Sequence, residues 1–485
     1  MAETVSMAGV APAYNPPMDT PDAEFEFRTT PVASSKDRER LRTAGGFTPA
    51  EGLKGELVPP GSKSVAQRWL LAATLAEGTT RIESLSESAD IESALGLAER
   101  CARSFRRGGP GVVEIEGHPP GEHTGPGPSD VLMVGESGTL SRMATAALGL
   151  AGDPNTPITL RPEGTLLTRK SAPLFKALER AGVCFVMQNL PGTWPVTLVP
   201  TRNPGEILLE RPVSSQELSG LLFGLAAFGE PGCVHVRGRL PSAPYVALTL
   251  RALLDFGVEV HVEHPDPGEF RYHVRGPLRA PEAALLVEPD ASSAAVGLAG
   301  ACITGGEVRI RLRNDTAQGD ADIVEHLAAF GCRAQHVDGV LSAAGFPERG
   351  AELDLEGGPD LAPPLAVVAA AVALRRGESS VLRGLGTLPG KESDRLEGLC
   401  EGLLRAGFRA ECGLDELRIG PGPHGVDPIL LDPRCDHRMA FAFALLSLIR
   451  PNVKVVDPHC VAKSWPQFWE DLEALGARPG SRRPG

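Results

Sequence analysis

Pro59-Pro60-Gly61-Ser62-Lys63-Ser64-Val65-Ala66-Gln67-Arg68 sets two cations and two hydroxyls in the turn that opens an apolar helix, read from Trp69 to Leu75. The first turn of a helix leaves backbone N–H groups free at the positive end of its dipole, and Lys63 and Arg68 add full charges beside them. Gly61 lets the backbone approach a ligand closely. A Pro-Gly-Ser turn also serves as a plain helix cap. What decides the fold is that this junction recurs.

Outward from it, the chain repeats an apolar helix, a short break and a β-branched strand. The first three copies read Leu70 to Thr80 then Arg81-Ile82, Ala144 to Pro157 then Ile158-Thr159-Leu160, and Leu218 to Gly232 then Cys233 to Val236. The next three read Ala294 to Gly306 then Val308-Arg309-Ile310, Leu365 to Glu378 then Val381-Leu382, and Met439 to Asn452 then Val453 to Val456. Their breaks, at Gly78, Gly152, Gly229, Gly305, Gly377 and Asn452, fall roughly 75 residues apart, as in an internal repeat. A second marker keeps step. Helices end at Gly182, Gly257, Gly331, Gly407 and Gly476 just before a strand, where glycine suits the left-handed residue that stops a helix. The unit is long enough for a βαβαββ module, and three modules per domain give two domains of ordinary size.

The composition fits that architecture. In 485 residues, 42% are hydrophobic but only 5% aromatic, so Ala, Leu and Val must fill the cores. A net charge of -13 argues against a nucleic-acid or anionic-membrane partner, though a local cationic cleft still attracts small anions. Nine cysteines, odd in number and never in a Cys-x-x-Cys pair, read as reduced thiols in a cytoplasmic protein. The acid- and proline-bearing N-terminus lacks the features of a signal peptide, and residues 1–47, rich in Pro, Ala and Thr, read as a disordered tail. The longest apolar run, Leu365 to Leu374, stops at Arg375-Arg376 and reads as a buried helix.

Ahead of the repeated helices stand Gly61-Ser62-Lys63-Ser64, Gly135-Glu136-Ser137-Gly138-Thr139, Val213-Ser214-Ser215-Gln216, Asp290-Ala291-Ser292-Ser293, Pro359-Asp360-Leu361 and Asp436-His437-Arg438. Capping alone accounts for Asp290, Ser292 and Ser293. It does not account for Lys63, Arg68, Arg142 and Arg438, cations that oppose the dipole at a cost of some tenths of a kcal/mol each unless an anion lies between them. Lys63, Arg169, Lys391, Arg395, Arg438 and Lys463 all fall at loop-to-helix junctions, with Asp360 and Glu392 the evident acid/base groups among them. The residues therefore point to a two-domain enzyme that binds two small anions.

Pro60-Gly61-Ser62-Lys63-Ser64, Gly138-Thr139 with Arg142, Ser214-Ser215-Gln216, Ser242-Ala243-Pro244-Tyr245, Asp290-Ala291-Ser292-Ser293, Gln318-Gly319-Asp320, Lys391-Glu392-Ser393-Asp394-Arg395, Asp436-His437-Arg438-Met439-Ala440 and Ala462-Lys463 together resemble the 5-enolpyruvylshikimate-3-phosphate synthase family. The resemblance runs in order from about residue 50 to 475. It implies an inside-out α/β barrel fold of two similar domains, each of three βαβαββ repeats, with the active site in the cleft between them. The domains would be 59–288, and 48–58 with 289–485. It implies transfer of the enolpyruvyl group of phosphoenolpyruvate to the 5-hydroxyl of shikimate 3-phosphate by a monomer, without metal or organic cofactor. By resemblance, Asp360 is the base at the hydroxyl, Glu392 the proton donor to the methylene carbon, and Lys63 lies close to both substrates. Shikimate 3-phosphate would be held by Lys63, Ser64, Arg68, Ser214, Ser215, Ser242, Asp360 and Lys391. Phosphoenolpyruvate would be held by Lys63, Gly138, Arg169, Gln216, Arg395, Arg438 and Lys463.

The chain departs from the family pattern at several points. Glu136 stands where the family usually has asparagine, Met143 and Lys170 where proline is common, and Thr387 where an amide is expected. Tyr245 reads as packing and His437 as a structural hydrogen-bonder. One alternative is the related transferase acting on a UDP-linked amino sugar, which typically carries a reactive loop cysteine; Cys101, Cys184 and Cys233 instead read as packed thiols in or beside helices and strands. The other is a catalytically silent anion-binding relative, which the intact Lys63, Asp360, Glu392 and Lys463 oppose.

Overall fold

The computed structural model describes residues 44–50, 52–120, 122, 125–126, 131–187, 190–201, 205–423 and 429–480. The expected tail lies outside these residues except for its last four, Ala44–Phe47, which are built into a sheet.

Six α/β units follow one another. The unit with helix Gly138–Ala151 is representative: strands Val131–Gly135 and Ile158–Pro162 run parallel, and Val196–Val199 and Cys184–Met187 complete the sheet antiparallel. Its outer helix is Ala172–Arg180. The same order of two parallel and two antiparallel strands recurs in the sheets containing Gly232–Arg237, Glu307–Arg311 and Ser380–Arg383. The sheet around Thr79–Glu83 also follows it, but borrows its first strand, Leu285–Leu286, from far along the chain. In exchange, Lys54–Glu56 pairs with Glu307–Arg311 in the fourth unit. Among the described residues the sixth unit has no hairpin strand of its own. Gly45 bridges Val455 and Phe47–Thr48 pairs with Arg478–Pro479, so the beginning of the described chain supplies it.

These exchanges take the chain between two apolar cores. One is built from Val65 to Val287, and the other from Phe47, Leu53 and Leu57 with residues 291–477. The crossings run side by side: Ser62 N–H donates to Glu288 O at 2.8 Å and Asp290 N–H to Pro60 O at 2.9 Å. The first helix of each unit is apolar nearly all round and sits inside its core, as in Ala362–Arg376, where every residue from Ala362 to Ala373 is buried. The helix-ending glycines Gly182, Gly257, Gly331, Gly407 and Gly476 all take φ between 76° and 109°. Gly152 is an exception among the earlier breaks, with φ of -74°. It is a glycine for lack of space: a Cβ there would meet Leu148 O and Pro200.

With few aromatics, the cores gain density from close helix contact. Helices Gly138–Ala151 and Ser215–Phe228 touch at Gly220, where a Cβ would lie 2.7 Å from the Cα of Met143 and the Cβ of Ala146. Gly220→Ala is expected to lower stability by about 1–2 kcal/mol, overpacking against backbone outweighing the smaller gain in helix propensity. Urea unfolding measures this, and an unchanged or raised midpoint would contradict the packing account.

Candidate functional site

The carboxyl ends of the parallel strands and the starts of the inner helices converge on a cleft of about 710 Å³ lined from both lobes. At the first junction Ser62 does not cap its helix; its hydroxyl donates to Gln318 Oε1 at 2.8 Å. Lys63 Nζ pairs at 2.9 Å with Asp90 Oδ2, a buried acid that sequence reading missed. Arg68 is buried without a carboxylate, bonding Thr249 Oγ1 and the carbonyls of Ser64 and Tyr245, and burial pushes it down to about 10.

The second junction is tighter. Ser137 Oγ caps Leu140 N and accepts from Gln67 Nε2. A Cβ on Gly138 would lie 2.8 Å from Arg142 Nη1 and 2.9 Å from Arg169 Nη1, so a larger residue there would push one or both guanidiniums aside. Gln216 locks the group, donating to Thr139 Oγ1 and accepting from Arg142 Nη1 at 3.0 Å. Arg142 lines the cleft although it was not among the expected contacts. Its Nε donates to Ser171 Oγ, which donates in turn to the buried Glu217 carboxylate. Ser214 caps its helix and lines the cleft; Ser215, one residue on, is buried and does not line it. Ser242 lines it with φ of 52°, a strained backbone for serine.

From the other lobe, Arg395 is 1% exposed and bonds three carboxylates, Asp436 at 2.7 Å, Asp360 at 2.9 Å and Glu392. Asp360 also meets Lys391 at 3.2 Å and Arg438 at 3.2 Å. Burial would raise the Asp360 carboxyl, but Arg438, Lys391 and Arg395 outweigh it and hold it well below the usual range. Glu392 follows the same balance: burial is its largest influence, yet Arg395, Arg169 and Lys463 together keep it depressed. The lobes meet here, with Arg169 at 3.8 Å and Lys463 at 3.9 Å from Glu392 Oε1. Lys63, Arg169 and Arg395 thus line one cleft, and Lys463, which is not among its lining residues, is joined to it through Glu392 and also reaches Glu136.

Three readings need correction. Tyr245 is not simple packing: its hydroxyl donates across the lobes to Asp320 Oδ2 at 3.2 Å and Asp360 Oδ2 at 3.3 Å. His437 is not a satisfied hydrogen-bonder, since its buried Nδ1 has no hydrogen-bond partner. Cys184 is exposed rather than packed, on strand Cys184–Met187, while Cys101 is buried and Cys233 half-buried. No cysteine is among the residues lining the cleft. None of the nine cysteines is joined in a disulfide. Among the described residues, no group of His, Cys, Asp and Glu is arranged to hold a metal ion, and no helix is long and apolar enough to cross a membrane.

Residues 47–472 match the family described as EPSP synthase (3-phosphoshikimate 1-carboxyvinyltransferase). A 3-phosphoshikimate 1-carboxyvinyltransferase from Nitrosomonas europaea is 35% identical over 437 residues, covering 88% of this chain and 97% of that relative. One from Edwardsiella ictaluri is 32% identical, covering 90% and 99%. The EPSP synthase structure from Acinetobacter baumannii superposes with a TM-score of 0.71 at 24% identity, covering 90% of this chain and 98% of the other. The enolpyruvyl transferase NikO from Streptomyces tendae gives 0.63 at 17% identity, with the same coverage. At these identities the two structures establish the shared fold alone.

The titrating groups of the cleft pull stability in opposite directions. Burial first, and Lys63 second, hold the His437 imidazole well below its ordinary 6.5, so its stabilising contribution is present above that value and lost as pH falls. Asp320 has the reverse sign: burial pushes it up to about 6, and its contribution, full below its ordinary 3.8, is lost as pH rises through about 6. Stability to urea is expected to decline as pH falls below about 6.5. His437→Gln should reduce the decline, leaving the share from His326, which burial also holds below 6.5, against the opposing rise from Asp320; an equal decline in the variant would exclude His437 as a source.

Proposed function

The chain belongs to the EPSP synthase (3-phosphoshikimate 1-carboxyvinyltransferase) family, transferases that move the enolpyruvyl group of phosphoenolpyruvate to the 5-hydroxyl of shikimate 3-phosphate with release of phosphate, and from that premise we propose the following roles for its cleft. The observation that carries the reading is the gathering of cations from both lobes around two carboxylates, Asp360 and Glu392. Lys63, Ser64, Arg68, Ser214, Ser242, Asp360 and Lys391 hold shikimate 3-phosphate. Lys63, Gly138, Arg169, Gln216, Arg395, Arg438 and Lys463 hold phosphoenolpyruvate, the arginine forks matching its carboxylate and phosphate. Arg142 joins this second group, since it lies against Gly138 and Gln216. The same reading takes the chain as a cytoplasmic monomer with domains at 59–288, and at 48–58 with 289–485.

Asp360 takes the proton of the 5-hydroxyl as its oxygen bonds to C2 of phosphoenolpyruvate, and Glu392 gives a proton to the methylene carbon. The tetrahedral adduct then loses a methyl proton and expels phosphate, restoring the double bond. A proton donor must be protonated, and Glu392 is held ionised by Arg395, Arg169 and Lys463. The substrate resolves this. Phosphoenolpyruvate brings negative charge to those same cations, their hold on Glu392 weakens, and burial, the largest single influence on it, raises its pKa in the complex. Burial of the cleft also strengthens the cations' stabilisation of the charged adduct.

Purified protein given phosphoenolpyruvate and shikimate 3-phosphate is expected to release phosphate, and not to do so when a UDP-linked amino sugar replaces the shikimate ester. Release with the UDP sugar alone would reassign the acceptor, and release with neither would favour the silent relative. Asp360→Asn and Glu392→Gln should each reduce kcat by roughly a hundredfold or more with folding retained. Unchanged turnover would remove that residue from the mechanism.

A further inference from the structure

Glu136 sets a carboxylate behind the lining of the cationic cleft, on the ammonium of Lys463. It follows strand Val131–Gly135, directly before the helix whose first residue is Gly138. Its carboxylate crosses to the other lobe and pairs with Lys463, Oε2 to Nζ at 3.4 Å, while the same ammonium donates to the Glu136 carbonyl at 3.2 Å. Lys463 is 8% exposed and its other anionic neighbour is Glu392 at 3.9 Å, so Glu136 supplies much of its compensating charge. The side chain has a shaped seat. Gly164, two residues past the neighbouring parallel strand Ile158–Pro162, takes φ of 51°, and a Cβ there would overlap Glu136 Oε1. The two strand ends are held together by Glu163 N–H on Gly135 O at 2.8 Å.

We propose that Glu136 is a tethered internal anion that competes with the phosphate of phosphoenolpyruvate for Lys463 and so sets the affinity for that substrate. The inference rests on the assignment of Lys463 to phosphoenolpyruvate. A substrate phosphate reaching Lys463 must displace a carboxylate already bonded to it, and must then sit near the displaced charge. Both effects weaken binding of the second anion. Neither acts on shikimate 3-phosphate, whose proposed holders, Lys63, Arg68 and Lys391, make no ion pair with Glu136. An uncharged amide at this position would leave Lys463 free to take the phosphate.

The test is steady-state kinetics on the full chain, varying each substrate in turn, for wild type, Glu136→Asn and Glu136→Asp. Glu136→Asn is expected to lower KM for phosphoenolpyruvate by roughly three- to tenfold with KM for shikimate 3-phosphate as an unmoved internal reference. Glu136→Asp keeps the charge and should keep KM for phosphoenolpyruvate close to the wild-type value. A KM for phosphoenolpyruvate that is unchanged or raised in Glu136→Asn overturns the proposal. So does a parallel change in both KM values, which would mark a structural role in joining the lobes. Absence of turnover in the wild type would instead defeat the functional assignment. In that case calorimetric titration of phosphoenolpyruvate alone still decides: tighter binding to Glu136→Asn supports competition, and equal or weaker binding refutes it.

Discussion

The cleft depends on a guanidinium that water does not reach. Arg395 bonds Asp436, Asp360 and Glu392 at once, and each of those acids belongs to a different loop of the C-terminal half. Removing such a charge from water costs several kcal/mol, and a buried pair is rarely a net gain over apolar packing. Its value here is positional. The two carboxylates that line the cleft, Asp360 and Glu392, are fixed to one rigid fork. They remain ionised despite burial because cations from both lobes close around them, and they become responsive to any anion that draws those cations away.

Much of the architecture was legible because two local rules repeat. Inner helices that must vanish into a core are apolar nearly all round, most of their few buried polar side chains gathered near the cleft end, and the helices that end before a strand do so on a glycine in the left-handed region. Neither rule reports strands that make no pattern. Leu285–Leu286 and Phe47–Thr48 are two residues long, too short for alternation, and their partners lie hundreds of positions away. The exchanged strands, and the order of Ala44–Phe47, were invisible for that reason.

The site divides in the same way. Cations at helix starts announced themselves because they oppose a dipole. Asp90, which holds Lys63, sits in the first turn of another helix, where an acid is unremarkable. Tyr245 looked like packing because its partners Asp320 and Asp360 come from the opposite lobe. Arg142, Ser171 and Glu217 form a buried line only after three separate segments have met. Ser214 and Ser215 are alike in sequence; a single residue of backbone decides that the first caps its helix at the cleft wall and the second is buried.

The strand supplied by residues 45–48 bears on how the molecule comes off the ribosome. The lobe around Val65 to Val287 has its sheets complete once Leu286 has emerged, so it can close while synthesis continues. The other lobe has no such freedom. Its fourth sheet awaits a pairing with Lys54–Glu56, made long before, and its sixth joins Gly45 and Phe47–Thr48 to Val455 and Arg478–Pro479. Residues 45–48 must therefore wait for partners that are made more than 400 positions later.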